Sequence, residues 1–187
     1  MAGSDQTAGI RILRKLTLLR HAKSSWTDSA AADIDRPLAP RGHKAALKIG
    51  SFIADNTLSP DLILCSPARR TRETLAHIRP FFKGKPEIRL EHAIYSAGLG
   101  DGIIAYLQTL SEPAHVMVIG HNPTLQHMAL ALAKPDSHPG YAAIERKYPT
   151  AGLAHIEFDI DRWIKLETRG RLVHYIVPKE LMSREKA

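Results

Sequence analysis

The sequence predicts one α/β domain with three layers: a mostly parallel central sheet, helices on both faces, and antiparallel strands at the C-terminal end. Three observations point there. Short apolar runs bounded by turn residues alternate with longer stretches of helical period as far as Pro149, the pattern of strand–helix units. After Pro149 the pattern becomes a two-residue alternation, as in antiparallel strands. No repeat, low-complexity segment or Pro/Gly/Ser-rich linker interrupts the 187 residues, of which 44% are apolar. A chain of this length buries roughly 70% of its unfolded surface and needs no second domain.

The elements follow in order. Residues 1–15 are polar, then basic (RILRK), without periodicity, and read as a flexible N-terminal segment. LTLL (16–19) is the first strand. A loop leads to a helix over 41–55, where Ala45, Ile49, Phe52 and Ile53 recur at helical spacing. LILC (62–65) is the second strand, and Ser66-Pro67 after it suits an N-cap followed by proline in the first turn. A weaker third strand over 88–90 precedes a helix carrying Ile103, Ile104, Leu107 and Leu110. The fourth strand, 116–119, enters its helix through Asn122-Pro123, the same device, with Leu125, Met128, Ala129 and Leu132 inward. In 152–160 the residues Gly152, Ala154, Ile156, Phe158 and Ile160 share one face, and LVHYIVP is a last strand. The domain is expected over 16–178, with 179–187 a frayed, charged C-terminal tail.

Charge and cysteine content narrow the classes. The 26 Lys+Arg against 19 Asp+Glu give a formal charge of +7, so the chain attracts anions: nucleic acid, an acidic membrane surface or phosphorylated molecules. No apolar run is long enough for a membrane span, and MAGSDQTAGI lacks the apolar core of a signal peptide. A cytoplasmic protein without membrane attachment is expected. The single cysteine, Cys65, cannot form an intrachain disulfide and, inside LILC, reads as a buried structural thiol.

In an open α/β sheet, ligands bind outside the carboxyl ends of the parallel strands. Three strand ends here carry unusual residues: Arg20-His21 before AKSSW, Ser66-Pro67 before Arg69, Arg70 and Arg72, and Gly120-His121-Asn122-Pro123. Two histidines and several arginines on one rim suit a phosphoryl group, because guanidinium forks match phosphate oxygens bidentately and helix N-termini add backbone donors. A histidine among arginines is held neutral and keeps a lone pair for attack on phosphorus. The pair therefore suggests a nucleophile and an assistant.

At these residues the chain resembles the histidine phosphatase superfamily, whose RHG-type motif is represented by Arg20-His21-Ala22, and more closely its SixA-like phosphohistidine phosphatases. The pattern runs LTLLRHAKSSW, DIDRPLAPRG, LILCSPARRTRET, VMVIGHNPTLQ and KYPTAGLAHIEFD, in the family's order, over about residues 16–178. The resemblance implies a phosphoglycerate mutase-like fold, His21 as nucleophile, Arg20 and Arg70 as phosphate ligands, and His121 as second histidine. Within SPxxR the arginine four residues after the serine is Arg70, which leaves Arg69 and Arg72 on other helical faces. Lys23 and Arg36 are candidate substrate contacts. The implied chemistry is two in-line displacements through a phosphoenzyme, without metal or other cofactor, stabilised by Arg20, Arg70 and a protonated His121. The other ring nitrogen of His21 is expected to donate to a backbone carbonyl.

Relatives acting on alcohol leaving groups carry a carboxylic acid after the third strand, where this chain has LEHAIY. Glu91 and His92 are both candidates for a general acid, and neither sits squarely in the expected place. A site without a strong acid suits a phosphoramidate, so phosphohistidine in a protein is the expected substrate. Two alternatives stand beside it: a small-molecule phosphomonoesterase or mutase-like enzyme of the same fold, and a basic nucleic-acid-binding module. The cations are not interleaved with aromatics, which form only 6% of the chain, and that argues against the nucleic-acid reading. The histidines show no HxH, HExxH or i, i+4 pair, so no catalytic metal is expected.

Overall fold

The computed structural model describes residues 13–28, 30–167 and 169–184. Its strands are β1 (Arg14–Arg20), β2 (Leu62–Cys65), β3 (Glu87–Leu90), β4 (His115–Gly120), β5 (Leu153–Phe158) and β6 (Arg171–Ile176). The helices are α1 (Pro40–Asp55), α2 (Arg69–Ile78), α3 (His92–Tyr95), α4 (Asp101–Gln108), α5 (Thr124–Leu132), α6 (Gly140–Arg146) and α7 (Pro178–Arg184). The six strands form one sheet in the order β3-β2-β4-β1-β5-β6. The first four of these run parallel, and β5 and β6 are antiparallel, as the change of period after Pro149 predicts.

Successive side chains of a strand enter opposite faces, and helices cover both. Leu16, Leu18, Leu64, Val116 and Val118 pack with residues of α4, α5 and α6 on one face. Leu19, Ile63, Cys65, Met117 and Ile119 pack with α1 and α2 on the other, where Cys65 is fully buried. Burial pushes the Cys65 thiol up to about 12, as befits a structural side chain.

Three expectations need correction. Arg14 and Lys15 belong to β1, because they pair with Phe158 and Glu157 of β5, so the domain begins earlier than residue 16; residues 1–12 of the expected N-terminal segment lie outside the described residues. The charged end is helical: α7 places Leu181 against the cluster of α1 and α2, an apolar contact that the lysines and glutamates around it mask in the sequence. Residues 185–187 lie outside the described residues. Finally, neither Ser66 nor Asn122 caps a helix. The residue before α2 is Ala68 and that before α5 is Pro123, with no side-chain cap at either. Both polar side chains face the site instead.

Candidate active site

Sheet register brings the site together. Arg20 pairs with Gly120 across β1 and β4, and Cys65 pairs with Ile119 across β2 and β4. The residues that follow, His21, Ser66 and His121, must therefore emerge side by side, and the His21 and His121 rings lie 5.1 Å apart between centroids. The loop after β1 is tied down from three sides. Ala22 N–H donates to Thr74 Oγ1 of α2 at 3.0 Å, and Ala151 N–H donates to the Arg20 and His21 carbonyls. Gly42 of α1 allows the third approach: a Cβ there would run into the Lys23 carbonyl oxygen.

The resulting cleft of about 470 Å³ is lined by Arg20, His21, Lys23, Arg36, Arg70 and His121 among others. All six are residues singled out from the sequence. His21 is 8% exposed, and its Nδ1 lies 2.8 Å from the Ala22 carbonyl oxygen. A carbonyl only accepts, so Nδ1 carries the proton and Nε2 holds the lone pair. Burial, reinforced by the positive groups around it, lowers His21 to about 3, although its bond to Ala22 opposes this. Burial thus outweighs the arginines that the sequence suggested as the cause.

His121 follows the same logic. Arg70 Nη2 lies 3.4 Å from its Nδ1 and can only donate, so Nδ1 is the acceptor and Nε2–H donates to Ser66 Oγ at 2.8 Å. Burial and then Arg70 lower His121 to about 4, so the assistant is neutral in the free protein, where the resemblance implied a protonated ring. Arg20 donates through Nη1 to the Tyr148 carbonyl at 2.7 Å, while its buried Nε has no hydrogen-bond partner among the described residues. A buried donor left unpaired costs about 1–3 kcal/mol, which a ligand oxygen would offset. Asn122 Nδ2 donates to the same carbonyl at 3.1 Å, which explains its absence from the cap.

Two residues of the site are not among the candidates read from the sequence, although Asp33 opens the DIDRPLAPRG stretch and Tyr95 closes LEHAIY. Asp33, in a 3-10 turn over Asp33–Asp35, lies across the cleft against Arg70, whose Nη2 donates to Asp33 Oδ2 at 2.9 Å. Tyr95, the last residue of α3, donates its hydroxyl to the same oxygen at 2.9 Å. Partial burial pushes Asp33 up, but hydrogen bonds from Tyr95, Arg36 and Arg70 outweigh it and hold the carboxyl at about 2. Asp33 is therefore a carboxylate seated on the arginine assigned to phosphate. Arg36 orders this loop: Nη1 donates to Asp33 Oδ1 at 2.8 Å, Nη2 to Ser24 Oγ at 2.6 Å, and its guanidinium stacks 3.2 Å from the Trp26 ring centroid.

The two candidate general acids lie elsewhere. Glu91 and His92 do not line the cleft: Glu91 accepts from the Tyr106 hydroxyl at 3.5 Å, and His92 is exposed. Turning into α3 right after β3 points Ile94 into the core and Tyr95 toward the cleft. Arg69 pairs with Glu73 on the helix surface, away from the cleft. Among the described residues, no group of three or more His, Cys, Asp or Glu side chains is placed to hold a metal ion, and no helix is long and apolar enough to cross a membrane.

Comparison with known proteins bears on the same residues. A family model described as histidine phosphatase superfamily (branch 1) matches residues 16–94, which contain Arg20, His21 and Arg70. An uncharacterized protein of Mycobacterium tuberculosis is 34% identical over 164 residues, covering 86% of this chain and 100% of that one. Among solved structures, a protein of Agrobacterium tumefaciens assigned as the phosphohistidine phosphatase SixA superposes with a TM-score of 0.75 at 31% identity, over 88% of this chain and 98% of that one. The protein histidine phosphatase SixA complexed with tungstate shares the fold, with a TM-score of 0.72 at 21% identity over 89% and 99% of the two chains. Ordered motifs, sheet order and a relative matched over its full length agree: the chain belongs to the histidine phosphatase superfamily.

Proposed function

We propose that the protein hydrolyses phosphohistidine in a partner protein through a covalent phosphoryl intermediate on His21. The observation that carries this reading is the His21 ring itself: neutral, with Nδ1–H fixed on the Ala22 carbonyl, and with Nε2 left for the cleft between two arginines. His21 Nε2 attacks phosphorus, and the P–N bond to the substrate imidazole breaks as the new P–Nε2 bond forms. The leaving nitrogen takes the bonding pair. Because the distal nitrogen of that ring carries a proton, the imidazole departs neutral and needs no acid from the enzyme. Water then attacks phosphorus on the opposite side, the P–Nε2 bond breaks, and its protons leave with phosphate or solvent.

Arg20, Arg70 and Lys23 face the equatorial oxygens in this scheme, and such fixed donors each contribute about 3–4 kcal/mol in comparable oxyanion sites. The incoming phosphoryl group displaces Asp33 from Arg70. Asp33, the one carboxylate among the described residues that line the cleft, is held ionised at neutral pH, and Glu91 lies outside the cleft, which favours a leaving group that requires no protonation by the enzyme. The scheme uses no metal, so turnover is expected to survive a chelator. The test is a panel of phosphohistidine peptides, phosphoramidate, sugar phosphates and nucleotides. The expected order places the P–N compounds first by kcat/KM; unactivated phosphate esters turned over faster would refute the substrate assignment and favour a small-molecule phosphomonoesterase.

A further inference from the structure

A second groove adjoins the cleft and carries a different signature. It has a volume of about 590 Å³ and is lined by the cations Arg20, Lys23, Arg41, Lys147 and Lys179, with no acidic residue among the described residues that line it. Arg20, Lys23 and Thr150 line both cavities, so the groove is continuous with the catalytic cleft. The start of α1, the segment after α6 and the start of α7 form its walls. Some surface cations elsewhere are paired, such as Arg69 with Glu73, Arg89 with Glu87, Lys165 with Asp161 and Arg171 with Glu157, while others, such as Arg72, Lys83 and Arg146, stand singly on other faces. Among the described residues, Lys23, Arg41, Lys147 and Lys179 make no such ion pair. Val177 and Met182, the latter 40% exposed, add apolar lining between the charges.

We propose that this groove binds an acidic segment of the phosphorylated partner protein, holding carboxylates that flank the phosphorylated residue while the phosphoryl group enters the cleft. The assignment rests on the phosphatase reading above for what enters the cleft, and on charge complementarity for what fills the groove. The cations come from three separate segments, the start of α1, the stretch after α6 and the start of α7, as contacts to an extended chain would. Apolar lining beside spread charge suits a polypeptide, whose side chains offer both.

The experiment compares two phosphohistidine peptides, one flanked by Asp and Glu and one by Ser and Ala, on the wild type and on the triple variant Arg41→Glu, Lys147→Glu, Lys179→Glu. Wild type is expected to prefer the acidic peptide by at least about tenfold in kcat/KM, and to lose part of that preference as salt rises. The triple variant is expected to bring the ratio to about one or below. A ratio cancels any loss of folded enzyme. Equal use of both peptides by wild type, or a preference that survives in the triple variant, overturns the proposal. So does a variant that keeps the peptide preference but loses affinity for a sugar bisphosphate. If neither peptide is turned over, the phosphatase reading fails by itself. The groove is then judged by fluorescence anisotropy with the unphosphorylated acidic peptide: binding weakened at least about tenfold in the variant supports it, and unchanged binding refutes it.

Discussion

Acid should unfold this protein well before its carboxylates titrate. Four histidines are held far below their ordinary value: His21 and His155 at about 3, His115 and His121 at about 4, in every case with burial as the leading cause. His115 and His155 sit in a chain whose directions are fixed by the acceptors at its ends. The Ser59 carbonyl takes the proton of His115 Nδ1 at 3.0 Å, so His115 Nε2 accepts from Thr17 Oγ1, which in turn accepts from His155 Nδ1, each at 2.8 Å. The His115 ring is fully bonded only when neutral, while His155 Nε2 lies 4.0 Å from Glu157 Oε1, a contact too long to offset the burial of a charged ring. The unfolded chain takes up protons near pH 6.5 and the folded one does not, so stability is complete above about 6.5 and falls with pH through the window down to about 4 to 3. At about pH 5 each histidine costs about 2 kcal/mol, and the four together about 8 kcal/mol as an upper bound. That equals much of the 5–15 kcal/mol that holds a typical domain folded. Urea unfolding followed by circular dichroism should show a midpoint that drops steeply between about pH 6.5 and about pH 5 with an unchanged slope. His155→Gln should remove about a quarter of the dependence. A midpoint independent of pH across that window would refute the burial argument.

Two further perturbations test the site. Asp33→Asn removes the carboxylate that competes for Arg70, so inhibition by inorganic phosphate is expected to tighten about fivefold to tenfold at neutral pH, while kcat on a phosphohistidine peptide changes by less than about threefold. A loss of kcat above about a hundredfold, checked by steady-state kinetics, would instead make Asp33 the proton donor. Gly42→Ala drives a methyl group against the Lys23 backbone, which cannot rotate away as a side chain can; a loss of about 2 kcal/mol or more is expected in thermal unfolding, together with weakened phosphate binding as the nucleophile loop shifts.

Much of the site was legible because it is built from strand ends. A parallel sheet brings residues that follow different strands into register, so Arg20, His21 and His121 could be placed together from apolar runs and the residues after them, whereas the choice of Arg70 over Arg69 and Arg72 rests on the SPxxR spacing that the resemblance implies. Asp33 and Tyr95 were not, since their positions depend on how the loop after β1 and the turn of α3 cross the cleft, and neither path has a periodic signal. Ser66 and Asn122 were misread for an instructive reason. Their place before proline has the form of a cap, but tertiary contacts with His121 and with the Tyr148 carbonyl claim those side chains first. Neither Glu91 nor His92, the two candidate acids, reaches the cleft, because the chain turns into α3 at that point and offers Tyr95.

The central claim concerns one atom, His21 Nε2. Rapid quenching during turnover of a radiolabelled phosphohistidine peptide should trap label on the enzyme that is lost in acid and retained in alkali, as a P–N bond requires. The label should map to His21 and vanish in His21→Ala while remaining in Glu91→Gln. A label on serine or aspartate, a label that persists in His21→Ala, or turnover by wild type with no trapped label would contradict the account.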